Sequence, residues 1–277
     1  MKNVDALKED ILANYKRLGL DDTFSFRCHN KLACFNVCCG DINIFLTPYD
    51  IIRLKQRLQI SSTEFLKQYT VRPFTKDQQL PVVVLKLDDD KPNKPCQFVT
   101  PEGCSVYEDR PWPCRMYPVG SASARTESDP DAPEFYFLMH EEPCDGFAEG
   151  KTWTIRQWKE NQGVAEYDEM GELFKEINLH PHFTSGGTLN PQQMEMYYNV
   201  CYDIDRFKAF VFESSFLDKY EVEPELAEKM KTDDVELLKF GYRWLKTCLF
   251  GQQLVPLKQQ TVDDYKSKLQ AQGKRPK

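Results

Sequence analysis

The sequence predicts an α+β protein: a small, irregular, β-containing cysteine-cluster domain with flanking helices, followed by an α-helical C-terminal part. Three observations carry that reading. Eight of the ten cysteines fall between residues 28 and 144, and four of them lie within twelve residues. The same region holds short β-branched runs cut by Pro, Gly and Asp turns. Beyond about residue 154 the pattern changes to capped segments with helical periodicity. The expected division is a cysteine-cluster metal-binding domain over 1–163 and a helical extension over 164–277.

Taken in order, residues 1–19 read as a helix ending at Gly19, with Val4, Leu7, Ile11, Leu12 and Tyr15 on one face. The first cysteine stretch follows. Ile42, Ile44 and Leu46 alternate with Asn43 and Phe45 as a short strand. Thr47-Pro48-Tyr49-Asp50 is a helix start: Thr47 caps, Pro48 needs no N–H in the first turn, and Asp50 faces the positive end of the dipole. Ser61-Ser-Thr-Glu64 is a capping box opening a second helix. Leu80–Leu87 is the clearest strand, rich in β-branched residues. Cys96–Thr100 reads as a returning strand and Pro101-Glu-Gly103 as a turn.

The prolines after Ser105 suggest one helical turn and then an extended segment around Cys114. Residues 121–133 read as a polar loop and Phe135–Met139 as another strand. Thr154 caps a helix over Ile155–Asn161, and a further helix is expected from Val164 to Ile177. Asn190-Pro191 opens a long helical stretch to Leu217. Pro224–Lys231 and Asp233–Leu249 continue the pattern, and the tail from Gln252 is polar.

A formal net charge of −7 argues against non-specific binding to nucleic acid or an anionic membrane, which need basic surface. No apolar run approaches the roughly 20 residues that span a bilayer. The charged, amphipathic N-terminus lacks the apolar core of a signal peptide, so the expected location is cytoplasmic. In a reducing compartment a dense thiol set points to metal before disulfides. Cys28, Cys34, Cys38, Cys39, Cys96, Cys104, Cys114 and Cys144 are the expected metal ligands. Thiolates are soft ligands, and four complete either a zinc site or an iron–sulfur cluster such as 4Fe–4S. Eight invite two sites.

Cys38 and Cys39 are adjacent, and neighbouring side chains point apart, so the pair serves two sites or one large cluster. Arg27, Lys31, Lys94, Arg110 and Arg115 lie close in sequence to candidate ligands. Cys201 and Cys248 read as buried small hydrophobes. There is no Cys-x2-Cys, no phosphate-binding loop and no glycine fingerprint. His180-Pro-His182 reads as a surface turn.

Several motifs together carry a family resemblance. Cys28-x5-Cys34-x3-Cys38-Cys39 is followed by Ile44-Phe-Leu-Thr-Pro-Tyr-Asp50, Cys96-Gln-Phe-Val and Gly103-Cys104-Ser-Val-Tyr107. Arg110-Pro-Trp-Pro-Cys114-Arg-Met-Tyr-Pro118 and Cys144-Asp-Gly-Phe complete the set. Over about residues 24–163 the chain resembles the YkgJ family of cysteine-cluster proteins, also described as a zinc- or iron-chelating CxxCxxCC domain. Its first two gaps are five and three residues, where that family has two or three. The resemblance implies metal binding, most simply an iron–sulfur protein with a redox or electron-transfer role. Two other readings stand beside it. One is a structural or chelating zinc protein whose helical part binds a protein partner. The other is a cluster-dependent methyltransferase-like enzyme, since flagellin lysine methylases carry a similar cysteine cluster.

Overall fold

In the computed structural model, residues 15–73, 80–123, 134–139 and 144–271 are described. The first half carries β1 (Thr23–Ser25), β2 (Phe45–Leu46), α1 (Pro48–Leu58), α2 (Ser62–Tyr69), β3 (Thr70–Val71) and β4 (Val83–Leu85). Next come β5 (Val99–Thr100), β6 (Gly103–Cys104), α3 (Trp112–Met116), β7 (Val119–Ser123), β8 (Glu134–Leu138) and β9 (Thr152–Thr154). Helices follow: α4 (Ile155–Gln162), α5 (Ala165–Asn178), α6 (Pro181–Thr184), α7 (Pro191–Cys201) and α8 (Ile204–Glu213). The last are α9 (Phe216–Lys219), α10 (Pro224–Thr232), α11 (Asp234–Phe250) and α12 (Gln259–Ala271). The fold is α+β, with four small antiparallel sheets among the described residues.

By packing, the chain forms two units, Met1–Ile44 with Lys86–Asp168, and Phe45–Leu85 with Glu169–Lys277. Sequence pattern divides it at about residue 163, whereas packing assigns residues 45–85 to the helical unit.

In the cysteine-bearing unit, β1 pairs with β9 through Thr23↔Thr154 and Ser25↔Thr152. Five residue pairs join β7 to β8, and Leu18 adds a bridge to Tyr136. The core joins Phe24, Phe26, Met116, Val119, Tyr136, Ile155 and Trp158. Phe26 and Phe24 each meet Trp158 edge-on, at 5.7 and 5.8 Å between centroids, a favoured aromatic geometry. Trp158 Nε1 donates to the Met116 carbonyl at 2.9 Å, so its polar edge is satisfied while its rings are buried. Thr154 and Gln157 form the capping box that starts α4.

The helical unit begins at a β2-β4-β3 sheet. Thr47 Oγ1 accepts from the Asp50 N–H at 3.2 Å and Asp50 Oδ2 accepts from the Thr47 N–H at 2.7 Å, the expected capping box. Tyr49, Phe65, Tyr197, Phe207, Phe216 and Phe240 are fully buried here. Within this apolar interior Lys55 is 2.8 Å from both Asp205 and Asp234, and Lys208 is 2.5 Å from Asp234. Asp203 accepts from the Ser62 and Thr63 hydroxyls at 2.7 and 2.8 Å. The Ser62 N–H donates to Asp205 at 2.6 Å.

Several expectations are corrected. Tyr15–Gly19 is not helical, because Leu18 pairs with Tyr136; the rest of the predicted first helix lies outside the described residues. The strands expected over 42–46, 80–87 and 96–100 shrink to β2, β4 and β5. The segment around Cys114 is the helix α3, since Pro111 and Pro113 sit at its start, where a missing N–H costs nothing. Residues 121–123 belong to β7; the remainder of the predicted polar loop lies outside the described residues. The long stretch from Asn190 breaks into α7, α8 and α9, the first break falling where buried Asp203 spends its carboxylate on the start of α2. The polar tail carries α12. Cys201 is buried as expected, but Cys248 is exposed. No helix among the described residues is long and apolar enough to cross a membrane.

Candidate metal centre

Backbone hydrogen bonds deliver the thiols. The β1–β9 ladder continues as Phe26 N–H to the Lys151 carbonyl and Arg27 N–H to the Gly146 carbonyl, both 2.9 Å. That brings Cys28 beside the segment opened by Cys144. The Asp145 N–H then donates to Cys34 Sγ at 3.3 Å. Asn36 adopts a left-handed conformation, φ 69°, which asparagine tolerates. It turns the chain into the 3-10 turn Val37–Cys39.

A second set of bonds gathers the remaining thiols. The Cys96 N–H donates to the Cys39 carbonyl at 2.8 Å, and Cys96 bridges to Leu87. Asn36 Nδ2 donates to the Thr100 carbonyl at 2.9 Å, fixing the turn to the β5–β6 hairpin, where Val99 pairs with Cys104. Gly40 is required there: a Cβ would stand 2.2 Å from the Asn93 carbonyl oxygen. Cys114 comes from α3.

The gathered thiols raise one another's pKa values. Cys28 is exposed as a residue, yet desolvation of its sulfur, followed by the thiols of Cys38, Cys34 and Cys144, pushes its pKa up to about 11. The Cys39 thiol is raised first by its hydrogen bond with Cys38, then by burial, then by Cys38, Cys114 and Cys96. Cys96 is raised by burial, with Cys104 adding to it. Burial also raises Cys104, against the opposing charge of Arg110. Cys28 thus lies near Cys34, Cys38 and Cys144, and Cys39 lies near Cys96 and Cys114 but nearest to Cys38. The Cys38–Cys39 pair joins them. No disulfide links any of the ten cysteines.

As the side chains lie, no three His, Cys, Asp or Glu among the described residues form a shell for a single ion. The donor chemistry nonetheless suits a soft metal, with eight thiols gathered. Metal entry displaces protons from thiols whose raised pKa keeps them neutral at pH 7.

Two arginines near the ligands have different employment. Arg110 donates to the Tyr107 carbonyl, to Gln162 Oε1 at 2.6 Å, and lies 3.7 Å over the Tyr107 ring. Its charge is felt at both Cys104 and Cys114. Arg115 donates to the backbone carbonyls of Arg110 at 3.1 Å and Gln162 at 2.8 Å, and to that of Glu108. The anchor Gln162 carries no sequence signal, lying 52 residues from the arginine it holds. His29 Nδ1 accepts from the Lys31 N–H, and His180 stacks on Phe250 at 3.6 Å. His140 lies outside the described residues.

All eight thiols fall within one family match. Residues 27–145 match the CxxCxxCC family. Its description is "Putative zinc- or iron-chelating domain". No curated protein and no solved structure matches the chain. The CxxCxxCC domain thus coincides with the segment in which the thiols gather. A cavity of about 790 Å³ in the helical unit is lined by residues that include Leu66, Arg72, Tyr198 and Asn199, and by none of the eight cysteines.

Proposed function

We propose that the CxxCxxCC domain binds metal at two four-cysteine sites, Cys28/Cys34/Cys38/Cys144 and Cys39/Cys96/Cys104/Cys114, and that each holds an iron–sulfur cluster. What supports this reading is the way the backbone gathers the thiols: the Arg27–Gly146 and Asp145–Cys34 bonds on one side, the Cys39–Cys96 bond and the β5–β6 hairpin on the other, with Cys38 and Cys39 between them. Four thiolates suit either a zinc ion or an iron–sulfur cluster. When bound, a cluster of this kind supplies one-electron redox chemistry.

The residues around it hold and tune. Backbone bonds at Cys39–Cys96 and in the β5–β6 hairpin fix ligand positions, the Asp145 N–H faces a ligand sulfur, and Arg110 offsets negative charge. A redox or electron-transfer role in a reducing compartment is the activity this reading carries, by resemblance of motifs to the YkgJ-type proteins.

Anaerobic purification with iron, zinc and acid-labile sulfide analysis tests the proposal. Iron and sulfide in comparable amounts are expected. A colourless protein holding zinc and no sulfide would leave the two-site reading in place and overturn the iron–sulfur assignment.

A further inference from the structure

The cavity of about 790 Å³ in the helical unit has the size of a small-molecule site. Its walls are held by bonds within the protein. At the end of α2, Thr70 Oγ1 donates to the Leu66 carbonyl at 2.6 Å. The Tyr202 hydroxyl, between α7 and α8, donates to the Pro81 carbonyl at 3.2 Å and ties the wall around Val82 to the helices. The Asp203 N–H donates to the Tyr198 carbonyl at 3.2 Å, while its carboxylate accepts from the Ser62 and Thr63 hydroxyls. Leu66, Val82 and Met194 make part of the lining apolar. Such a preformed site pays little ordering entropy on binding.

The charged lining is cationic on balance, in a chain whose formal net charge is −7. Lys67, Arg72 and Arg206 face Glu195 and Asp203, three charges against two, a surplus of one. Asp203 is 3% exposed and already serves two hydroxyls, and Arg206 approaches it loosely, through Nε at 3.8 Å. Arg72 pairs with no carboxylate among the described residues; its guanidinium lies over the Tyr198 ring, 4.5 Å from the centroid. Stacking steadies a long side chain and leaves its planar N–H fork for another acceptor. Both guanidiniums therefore stand about Tyr198, one on its ring and one beside the aspartate that bonds its carbonyl. We propose that this cavity binds a small apolar carboxylic acid, its carboxylate at Arg72 and Arg206 and its apolar body against Leu66, Val82 and Met194. A surplus of one positive charge suits a singly charged head better than a phosphate monoester, which carries nearly two. The inference stands apart from the metal reading, since none of the eight cysteines lines the cavity.

Two dyes test it by fluorescence titration of the full chain. Anilinonaphthalene sulfonate joins an apolar body to a singly charged head, and phenylnaphthylamine is the same body without the charge. One saturable sulfonate site per chain is expected, with the neutral dye bound more weakly. Arg72→Gln and Arg206→Gln each weaken the sulfonate roughly 3- to 10-fold, the effect of losing an exposed charge contact, and leave the neutral dye unchanged. Both arginines are exposed, so these variants keep the fold. Met194→Trp fills the cavity and weakens both dyes. Decanoate displaces the sulfonate, and decanol does so at least roughly tenfold less well, the worth of about 1.4 kcal/mol. Absence of a saturable site, equal binding of the two dyes, or equal displacement by decanoate and decanol overturns the inference. Unchanged sulfonate binding in both arginine variants, or in Met194→Trp, overturns it as well, because the dye then sits elsewhere.

Discussion

Cys38 and Cys39 share a peptide bond and a thiol hydrogen bond, and they stand between Cys28 on one side and Cys96 and Cys114 on the other. That an adjacent pair would be central to the thiol set could be anticipated from sequence; which distant cysteines each would meet could not. That depends on bonds such as Arg27 to Gly146 and Cys39 to Cys96, whose partners lie far apart in the chain. Arg115 makes the same point. It reads in sequence as a cation beside a ligand, but its guanidinium is committed to the carbonyls of Glu108, Arg110 and Gln162. Arg115→Ala leaves buried acceptors unpaired and is expected to cost ~3 kcal/mol or more, at 1.5–3 for each hydrogen bond to a charged group. Arg115→Lys recovers little, since an ammonium lacks the planar fork. Urea unfolding of the loaded protein measures this, and a loss below ~1 kcal/mol would mean that water satisfies those carbonyls.

At the scale of elements, the capped helices were the most legible. Thr47, Ser61, Thr154 and Asn190 each accept from a backbone N–H three residues on, as their side chains foretell. The strands were less so, because two-residue pairings such as β5–β6 are fixed by partners rather than by their own composition. Least legible was the charge cluster joining α1, α8 and α11, since Lys55, Asp205 and Asp234 look like surface residues of amphipathic helices. Lys55→Met leaves partly exposed Asp205 with Ser62 while Asp234 keeps Lys208, and is expected to cost ~1–3 kcal/mol at pH 7, below the figure for a fully buried pair. For Asp205, burial tends to raise the pKa, but the Lys55 ammonium and the Ser62 N–H outweigh it and hold the carboxyl below its usual value. Such a group contributes stability that is present above the unfolded pKa of ~3.9 and is lost as pH falls through the lower folded value. In Lys55→Met the lowering by the ammonium is lost, so Asp205 contributes less stability at neutral pH. The stability gap between the two proteins should therefore narrow as pH is lowered through the carboxylate range, read by denaturant melts across pH. A gap that stays constant or widens would show that Asp205 does not depend on Lys55.

At the scale of the molecule, the α+β class, the eight thiols and the helical second half were visible in the sequence. The assignment of residues 45–85 by packing was not, because a contiguous chain gives no sign that one segment packs with helices more than a hundred residues later. The two units also differ in what holds them. The helical unit buries large side chains on long helices. Around the thiols stand two-residue strands and 3-10 turns, so a metal held there would replace core and couple site formation to folding. Chelation should abolish hydrogen-exchange protection around residues 27–46 and 94–116 while α8 and α11 remain protected. Uniform protection after complete metal removal would contradict that coupling. The central claim is the division of the ligands into two sets of four, and metal content per chain in paired cysteine variants tests it most directly. Cys38→Ser combined with Cys144→Ser should retain half the metal, as either single variant does, whereas Cys38→Ser combined with Cys114→Ser should retain none. The opposite pattern, all metal lost in the first pair and half kept in the second, would contradict the division.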